Sequence, residues 1–454
     1  MKYYIETFGC QMNTADSQRL AMAMEKMGLQ AAPNVAEADV AVVNTCVVRQ
    51  TSEDKAYGWL QKVSQRKKEQ PDFVVGVMGC LVGVKGNQAL QRAFPMVDVL
   101  LPPSDPQPMV NLLAERIGVA QAEQALAERH QWQDEDFALP LQQRGNLVSA
   151  HVPIVYGCSH ACTFCIIPFR RGIERSRPIG EIAAEVRSLV RQGVREVTLL
   201  GQIVDRYGYD VPNGPQLSDL LRVLNDIPDL ERIRFLTSHP NYMSDELLRT
   251  VAELPKVCEH IEVPIQAGSD EVLTNMKRGY TAQAYRDLVA RIRHFIPNVA
   301  IHTDIIVGFP GESEAQFDET YRVLAELALD KVHVARYSPR KGTVSARRLP
   351  DDVSDAEKKR RLAQIEGLQA QVQLNINRSY LGQTVEVLVD DTIKGHWSGR
   401  TRTNKLIMFD APGEWRGKLA QVTVTDASAY AMQGKLATAD TVGAVEPVGE
   451  LIVL

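Results

Sequence analysis

Between residues 151 and about 345 the chain repeats one rhythm six times: a short β-branched run, then an amphipathic stretch. The runs are "HVPIVYG", "EVTLLGQ", "RIRFLTSH", "HIEVPIQAG", "IHTDIIVGF" and "KVHVARYS". Between them apolar residues recur at helical spacing, as in Ile182–Val190 and Tyr285–Phe295. Six consecutive βα units predict a partial (βα)6 barrel, whose working end is the carboxyl edge of its strands.

Two further textures flank this region. Up to about residue 120 the runs "KYYIETFG", "ADVAVVNT", "DFVVGVMG" and "MVDVLLPP", with helical segments such as Asp16–Met27 between them, predict an open parallel α/β sheet. From about 121 to 150 the rhythm lapses into glutamine and charge, as a linker would. A charged helix from about Asp355 to Leu374 leads to "TVEVLVD", "KLIMFD" and "AQVTVTDA", whose alternation predicts a small antiparallel β-barrel. The expected domains are 1–145, 146–375 and 376–454, consistent with a chain of 454 residues that exceeds one hydrophobic core. A formal net charge of -5 exerts no global pull toward nucleic acid, so any basic surface must be local. The chain has no apolar run of membrane-spanning length, and "MKYYIETFGC" enters a strand pattern at once. A cytoplasmic protein with no membrane partner is expected.

Cysteine usage points to chemistry. Seven cysteines are too few for a disulfide scaffold in a chain this long. Cys158, Cys162 and Cys165 lie within "GCSHACTFC", directly after the first strand of the six-unit region and hence at its working end. Clustered thiolates bind zinc or an iron-sulfur cluster. Structural zinc wants four ligands, and His160 is the candidate fourth. A 4Fe-4S cluster on three cysteines keeps one iron open for a substrate or cofactor, which accounts better for the number three. Cys10, Cys46 and Cys80 form a second set: each ends a predicted strand of the first domain, where ligands of an open parallel sheet bind. Cys258 has no such pattern and reads as core.

The spacing C-x3-C-x2-C, with Phe164 before the last cysteine, resembles the radical S-adenosylmethionine (SAM) superfamily. Two three-cysteine sets, a (βα)6 domain and a β-barrel tail resemble the methylthiotransferase family over essentially the whole chain. "GCQMN" at Gln11, Met12 and Asn13 is similar to the MiaB-type tRNA methylthiotransferases. "SRP", "LLGQ", "TSHP", "VPIQAGSDEVL", "TDIIVGFPGE" and "GRTRTNK" also match. The resemblance implies two 4Fe-4S clusters, SAM bound at the open iron of the Cys158 set, and reductive cleavage of SAM to methionine and a 5′-deoxyadenosyl radical. It also implies transfer of a methylthio group to carbon 2 of isopentenyl-modified adenosine 3′ of the anticodon. Resemblance and strand-end position together assign SAM contacts to Phe164, Gln202, Ser238, Gln266, Ser269 and Gly308. The sequence departs from the family at Ile203, Ala267 and Lys341.

The tail, resembling a TRAM domain, concentrates Lys394, Trp397, Arg400, Arg402 and Lys405 without an acid. Basic groups with an aromatic on a β-surface suit looped RNA. Arg400, Arg402 and Lys405, with Arg170 and Arg171 beside the cysteine loop, are the candidate contacts to a tRNA anticodon arm; Arg175 and Arg177 follow. A monomer reduced by a flavodoxin or ferredoxin is expected. The competing readings are modification of a ribosomal-protein aspartate and a zinc-stabilised RNA-binding protein without catalysis.

Overall fold

The computed structural model describes residues 1–117 and 139–437. Most of the expected linker, from 121 to 138, and the last residues of the chain lie outside the described residues.

The first sheet comprises β1 (Lys2–Phe8), β2 (Gln30–Ala31), β3 (Val40–Thr45), β4 (Val74–Gly79) and β5 (Val99–Leu101), all parallel in the order β2-β1-β3-β4-β5. Helices α1 (Gln11–Lys26), α2 (Gln50–Glu69) and α3 (Gln88–Ala93) connect these strands, and α4 (Gln107–Ile117) follows β5. Leu20 and Met24 of α1 pack with Met109 and Leu113 of α4 on Val40, Val42 and Val74, while Trp59, Leu60 and Val63 of α2 pack on Val43, Val75 and Val77. Both faces are covered, which is why β3 and β4 are buried along their whole length.

The middle region runs β6 (Ser149–Pro153), β7 (Val155–Tyr156), α5 (Ile167–Arg171), β8 (Arg175–Ser176), α6 (Ile179–Arg191), β9 (Glu196–Leu200), α7 (Leu217–Asn225) and β10 (Arg232–Phe235). It continues through α8 (Asp245–Glu253), β11 (His260–Glu262), α9 (Asp270–Asn275), α10 (Ala282–Phe295), β12 (Ala300–Val307), α11 (Glu314–Leu327) and β13 (Lys331–Arg336). The six parallel strands fall into two three-stranded sheets, β10-β9-β6 and β11-β12-β13, joined by an isolated parallel bridge from Ile233 to Val257. The expected first strand divides in two. After Pro153 its backbone is claimed by the segment returning from the cysteine loop, with Arg177 N donating to Ile154 O at 2.9 Å and β7 pairing antiparallel with β8.

Helices α12 (Val344–Arg348) and α13 (Asp355–Arg378) lead to a closed barrel of β14 (Thr384–Ile393), β15 (His396–Thr401), β16 (Leu406–Asp410), β17 (Leu419–Ala427) and β18 (Met432–Leu436), ordered β14-β15-β16-β18-β17. Four pairings are antiparallel, as expected; β16 and β18 instead run parallel. The chain leaves β16 by a long crossing to β17 beside β14, and the β17–β18 hairpin then brings β18 back in the direction of β16.

This barrel docks on the amino-terminal edge of the middle strands. Fully buried Arg232, at the start of β10, donates to Arg400 O at 2.6 Å and pairs with Glu386 at 2.8 Å. Arg234 donates to Arg402 O and Thr401 O, both at 2.7 Å, and to Glu196 at 2.9 Å. Two of the expected RNA contacts are engaged at this interface. Arg402 is paired with Glu259 at 2.8 Å and with the carbonyls of Pro255 and Val257, and Lys405 with Asp330 at 2.6 Å. Their charges join the barrel to the middle domain; Arg400 stays exposed, bonded to Asn404 O.

Candidate functional site

The in-register ends of β1, β3 and β4 assemble the first cysteine set. Phe8 pairs with Thr45 and Thr45 with Gly79, so Cys10, Cys46 and Cys80 emerge side by side at one carboxyl edge. Two ladder bonds carry the alignment past the strands, Cys46 N to Phe8 O at 2.9 Å and Cys80 N to Thr45 O at 3.0 Å. Gly79 turns the chain at φ +95°, and a Cβ there would stand 2.4 Å from Asn44 Oδ1. Asn44 and Asn13, both fully buried, bolt β3 to the start of α1: Asn13 Nδ2 donates to Asn44 Oδ1, and Asn44 Nδ2 to Asn13 O, each at 2.9 Å. Asn13 Oδ1 also accepts from the Cys10 backbone N–H at 3.3 Å and the thiol at 3.4 Å. Within "GCQMN", Asn13 thus shapes the cysteine turn and Met12 is buried core.

The thiols interact. Hydrogen bonding from Cys46 lowers Cys10 to about 6 and Cys80 to about 7, while the same two bonds push Cys46 up. Arg171 reinforces the lowered pair. Arg171, an expected RNA contact, is buried, with Nε 3.2 Å from Cys80 Sγ and Nη2 3.2 Å from Asp16 Oδ2.

The second set lies in the loop between β7 and α5. Gly157 enters it at φ +69°, where a Cβ would come within 2.0 Å of Ile173 O, and Cys158 N donates to Gly172 O at 3.0 Å. The loop is anchored through Thr163 Oγ1 to Asn275 O at 2.8 Å and through Arg278, whose Nη1 is 3.3 Å from Cys162 Sγ. Burial raises Cys158 to about 11 and Cys165 to about 12. Ile203 packs beside Cys158 and Ile167, which gives this departure from the family an apolar role over the loop.

Each set offers three free thiols, one short of the four ligands of a structural zinc. Among the described residues, only the ligand atoms of Glu262, His302 and His333 form a group of three within 4.8 Å of one another. His160, the candidate fourth ligand, bonds Tyr242 through Nε2 at 2.9 Å and meets the tilted ring of His239 with centroids 4.5 Å apart. Three thiols with a cationic donor on one sulfur fit an iron-sulfur cubane that keeps one iron open.

Five of the six expected SAM contacts follow the carboxyl ends of β9 to β12, and Phe164 lies in the cysteine loop. Half-buried Gln202 follows β9. Ser238 follows β10; its N donates to Glu262 O at 2.9 Å, and its buried Oγ has no protein partner. Gln266, after β11, holds φ +74° between bonds to Asp304 O and from Ile306 N. Strain of this kind in a non-glycine residue costs about 1–3 kcal/mol and clusters at functional sites. Ser269 heads α9 without a side-chain cap bond, and Phe164 meets Phe309 edge-on at 6.5 Å. Gly308, after β12, is covered by the Lys358 side chain, which a Cβ would approach to 2.3 Å. The lumen below carries groups that the sequence reading missed: Glu262, raised to about 7, and Asp304, raised to about 6, both by burial, with His302 bonded to His260 at 3.0 Å. Side-chain alternation along β11 to β13 was the available signal, since the odd residues of β12 pack outward.

Profile comparison finds the Radical SAM superfamily over residues 152–324, the uncharacterized protein family UPF0004 over residues 2–102 and the TRAM domain over residues 378–437. Among solved structures, the chain resembles the radical S-adenosylmethionine methyltransferase TsrM from Kitasatospora setae, determined with cobalamin and a [4Fe-4S] cluster bound, at TM-score 0.53 and 14% identity over 76% of this chain and 77% of that one. That likeness is one of fold. It is 46% identical to the tRNA-2-methylthio-N(6)-dimethylallyladenosine synthase of Roseiflexus sp. (strain RS-1), over 97% of this chain and 90% of the relative. The enzymes of that name from Herpetosiphon aurantiacus and Chloroflexus aurantiacus are 44% and 43% identical, over 96% and 98% of this chain and 97% and 93% of theirs. The chain belongs to the tRNA-2-methylthio-N(6)-dimethylallyladenosine synthase family of the radical SAM superfamily.

Proposed function

We propose that the chain attaches a methylthio group to carbon 2 of the dimethylallyl-modified adenosine beside the tRNA anticodon, using SAM and two 4Fe-4S clusters. The observation that carries this reading is the pair of three-cysteine sets at the carboxyl edges of two adjoining sheets, joined by α5, which begins two residues past Cys165 and ends in the guanidinium on Cys80. When bound, the cluster and SAM supply one-electron chemistry, which an unactivated C–H bond without a leaving group requires.

The chain's own residues hold and orient. Cys158, Cys162 and Cys165 would hold the SAM-binding cluster, and Cys10, Cys46 and Cys80 the auxiliary one. Phe164, Gln202, Ser238, Gln266 and Ser269 line the SAM side, with the unpartnered Ser238 Oγ as the clearest vacant donor; Gly308 would act by admitting Lys358. The tRNA anticodon arm would meet Arg170 beside the cysteine loop and Arg400 on the barrel. Electrons would come from a small carrier such as a flavodoxin or ferredoxin. A monomer in the cytoplasm, where tRNA is found, suffices; among the described residues no helix is long and apolar enough to cross a membrane.

The test is anaerobic incubation of reconstituted enzyme with SAM, reductant and tRNA bearing dimethylallyladenosine, followed by nucleoside mass spectrometry. The methylthio nucleoside is expected. Its absence from cluster-loaded enzyme that still cleaves SAM would overturn the substrate assignment.

A further inference from the structure

We propose that Arg171 is a positioning residue of the auxiliary site: its buried guanidinium, shared between Cys80 and Asp16, sets the reduction potential of the cluster. The inference rests on the reading that Cys10, Cys46 and Cys80 hold an iron-sulfur cluster.

Arg171 ends α5, six residues past Cys165, yet its side chain enters the other domain. Nε lies 3.2 Å from Cys80 Sγ, Nη2 3.2 Å from Asp16 Oδ2 and Nη1 3.5 Å from Ser104 Oγ. Ser104 donates in turn to Asp16 Oδ1 at 2.6 Å, so both carboxylate oxygens are occupied. The backbone fixes the approach, with Val84 N donating to Arg170 O at 3.0 Å just past Cys80. Asp16 is fully buried and Arg171 is 7% exposed, so water does little to screen either charge.

A weld between domains would need only the ion pair. The bond to sulfur does something different. Hydrogen bonds to cluster sulfurs and nearby net charge are levers on cluster potential. Reduction adds one negative charge, which a fixed cation at Cys80 stabilises and a carboxylate at Asp16 opposes. The two residues therefore act with opposite sign. Removing the cation should make the cluster harder to reduce, and removing the anion easier.

The test uses the full chain carrying Cys158→Ala, Cys162→Ala and Cys165→Ala, so that any remaining cluster is the auxiliary one, in an EPR-monitored redox titration. Arg171→Gln is expected to lower the reduced-to-oxidised ratio at fixed potential about tenfold, equivalent to 59 mV for one electron. Asp16→Asn is expected to shift it the other way, and Arg171→Lys to fall between wild type and Arg171→Gln. If Arg171→Gln does not take up iron, Arg171→Lys and Asp16→Asn still decide the sign. An unmoved potential, or shifts of one sign in all loaded variants, would overturn the proposal and leave Arg171 a domain weld. A folded parent that binds no iron would instead overturn the cluster reading, and the proposal with it.

Discussion

Cys158, Cys162 and Cys165 come from one short loop, whereas Cys10, Cys46 and Cys80 come from three strand ends separated by whole βα units. Each set has one buried arginine on one sulfur, Arg278 on Cys162 and Arg171 on Cys80. Their scaffolds differ. The loop owes its shape to local turns and to anchors on the segments 275–278 and 172–173. The assembled set owes its existence to parallel register, in which a slip of one residue would carry a cysteine to the opposite face of the sheet. The thiols differ accordingly: burial first, and then the neighbouring thiols, raise Cys158 and Cys165, while mutual hydrogen bonds and Arg171 lower Cys10 and Cys80. A local motif sets ligand spacing by chain geometry, and a dispersed one sets it by the sheet.

The largest expected effect divides the two sets by role. Replacing Cys158, Cys162 and Cys165 with alanine should leave about half of the roughly eight irons of a two-cluster chain and abolish SAM cleavage. Replacing Cys10, Cys46 and Cys80 should preserve 5′-deoxyadenosine formation while reducing methylthio product to background. Product at wild-type level in the second variant would end the distinction. Next, Gly157→Ala places a Cβ against Ile173 O in a left-handed conformation; strain of about 1–3 kcal/mol, before the clash is counted, should cost loop iron and spare the assembled site. Asn44→Ala is the converse. It unpairs buried Asn13, at about 1–3 kcal/mol, and should deplete auxiliary iron while leaving SAM cleavage. Iron and cleavage assays on these two variants would expose a shared scaffold if both sites failed together.

A smaller effect depends on pH. Burial raises Asp205, which accepts from His239 N–H below the loop site, to about 8. A carboxyl raised in the folded state holds a proton that the unfolded chain releases. Its contribution to stability is therefore full below pH 4 and is lost as pH rises to about 8. Asp205→Asn should make the fall in thermal midpoint between pH 5 and pH 8 shallower, with Glu262 and Asp304 supplying the remainder. The smallest effect is a control on both sites. Arg400→Gln should leave iron and SAM cleavage untouched and reduce the logarithmic salt slope of tRNA binding by about one. An unchanged slope would turn attention to Arg170.

Much of this was legible from residue pattern. The six βα runs, the strand-end position of all six cysteines and the alternating tail are local signals, since side-chain period and chain spacing are properties of neighbouring residues. The protein partners of the arginines were not legible, for a physical reason. "FRRG" and "GRTRTNK" present the same basic composition whether a guanidinium faces water, a sulfur or a carboxylate, and only the fold supplies Asp16, Glu259 and Asp330 as partners.

By itself the sequence determined the elements, the ligand types and the contiguous C-x3-C-x2-C spacing, because each is encoded within a few residues. The tertiary structure alone decided that Phe8, Thr45 and Gly79 align so that three distant thiols meet. It alone sent Arg171 across a domain boundary to Cys80 and spent Arg402 and Lys405 on the amino edge of the middle domain. A buried charge must find an opposite charge or a polar partner wherever packing provides one, and that partner can lie more than a hundred residues away in the chain.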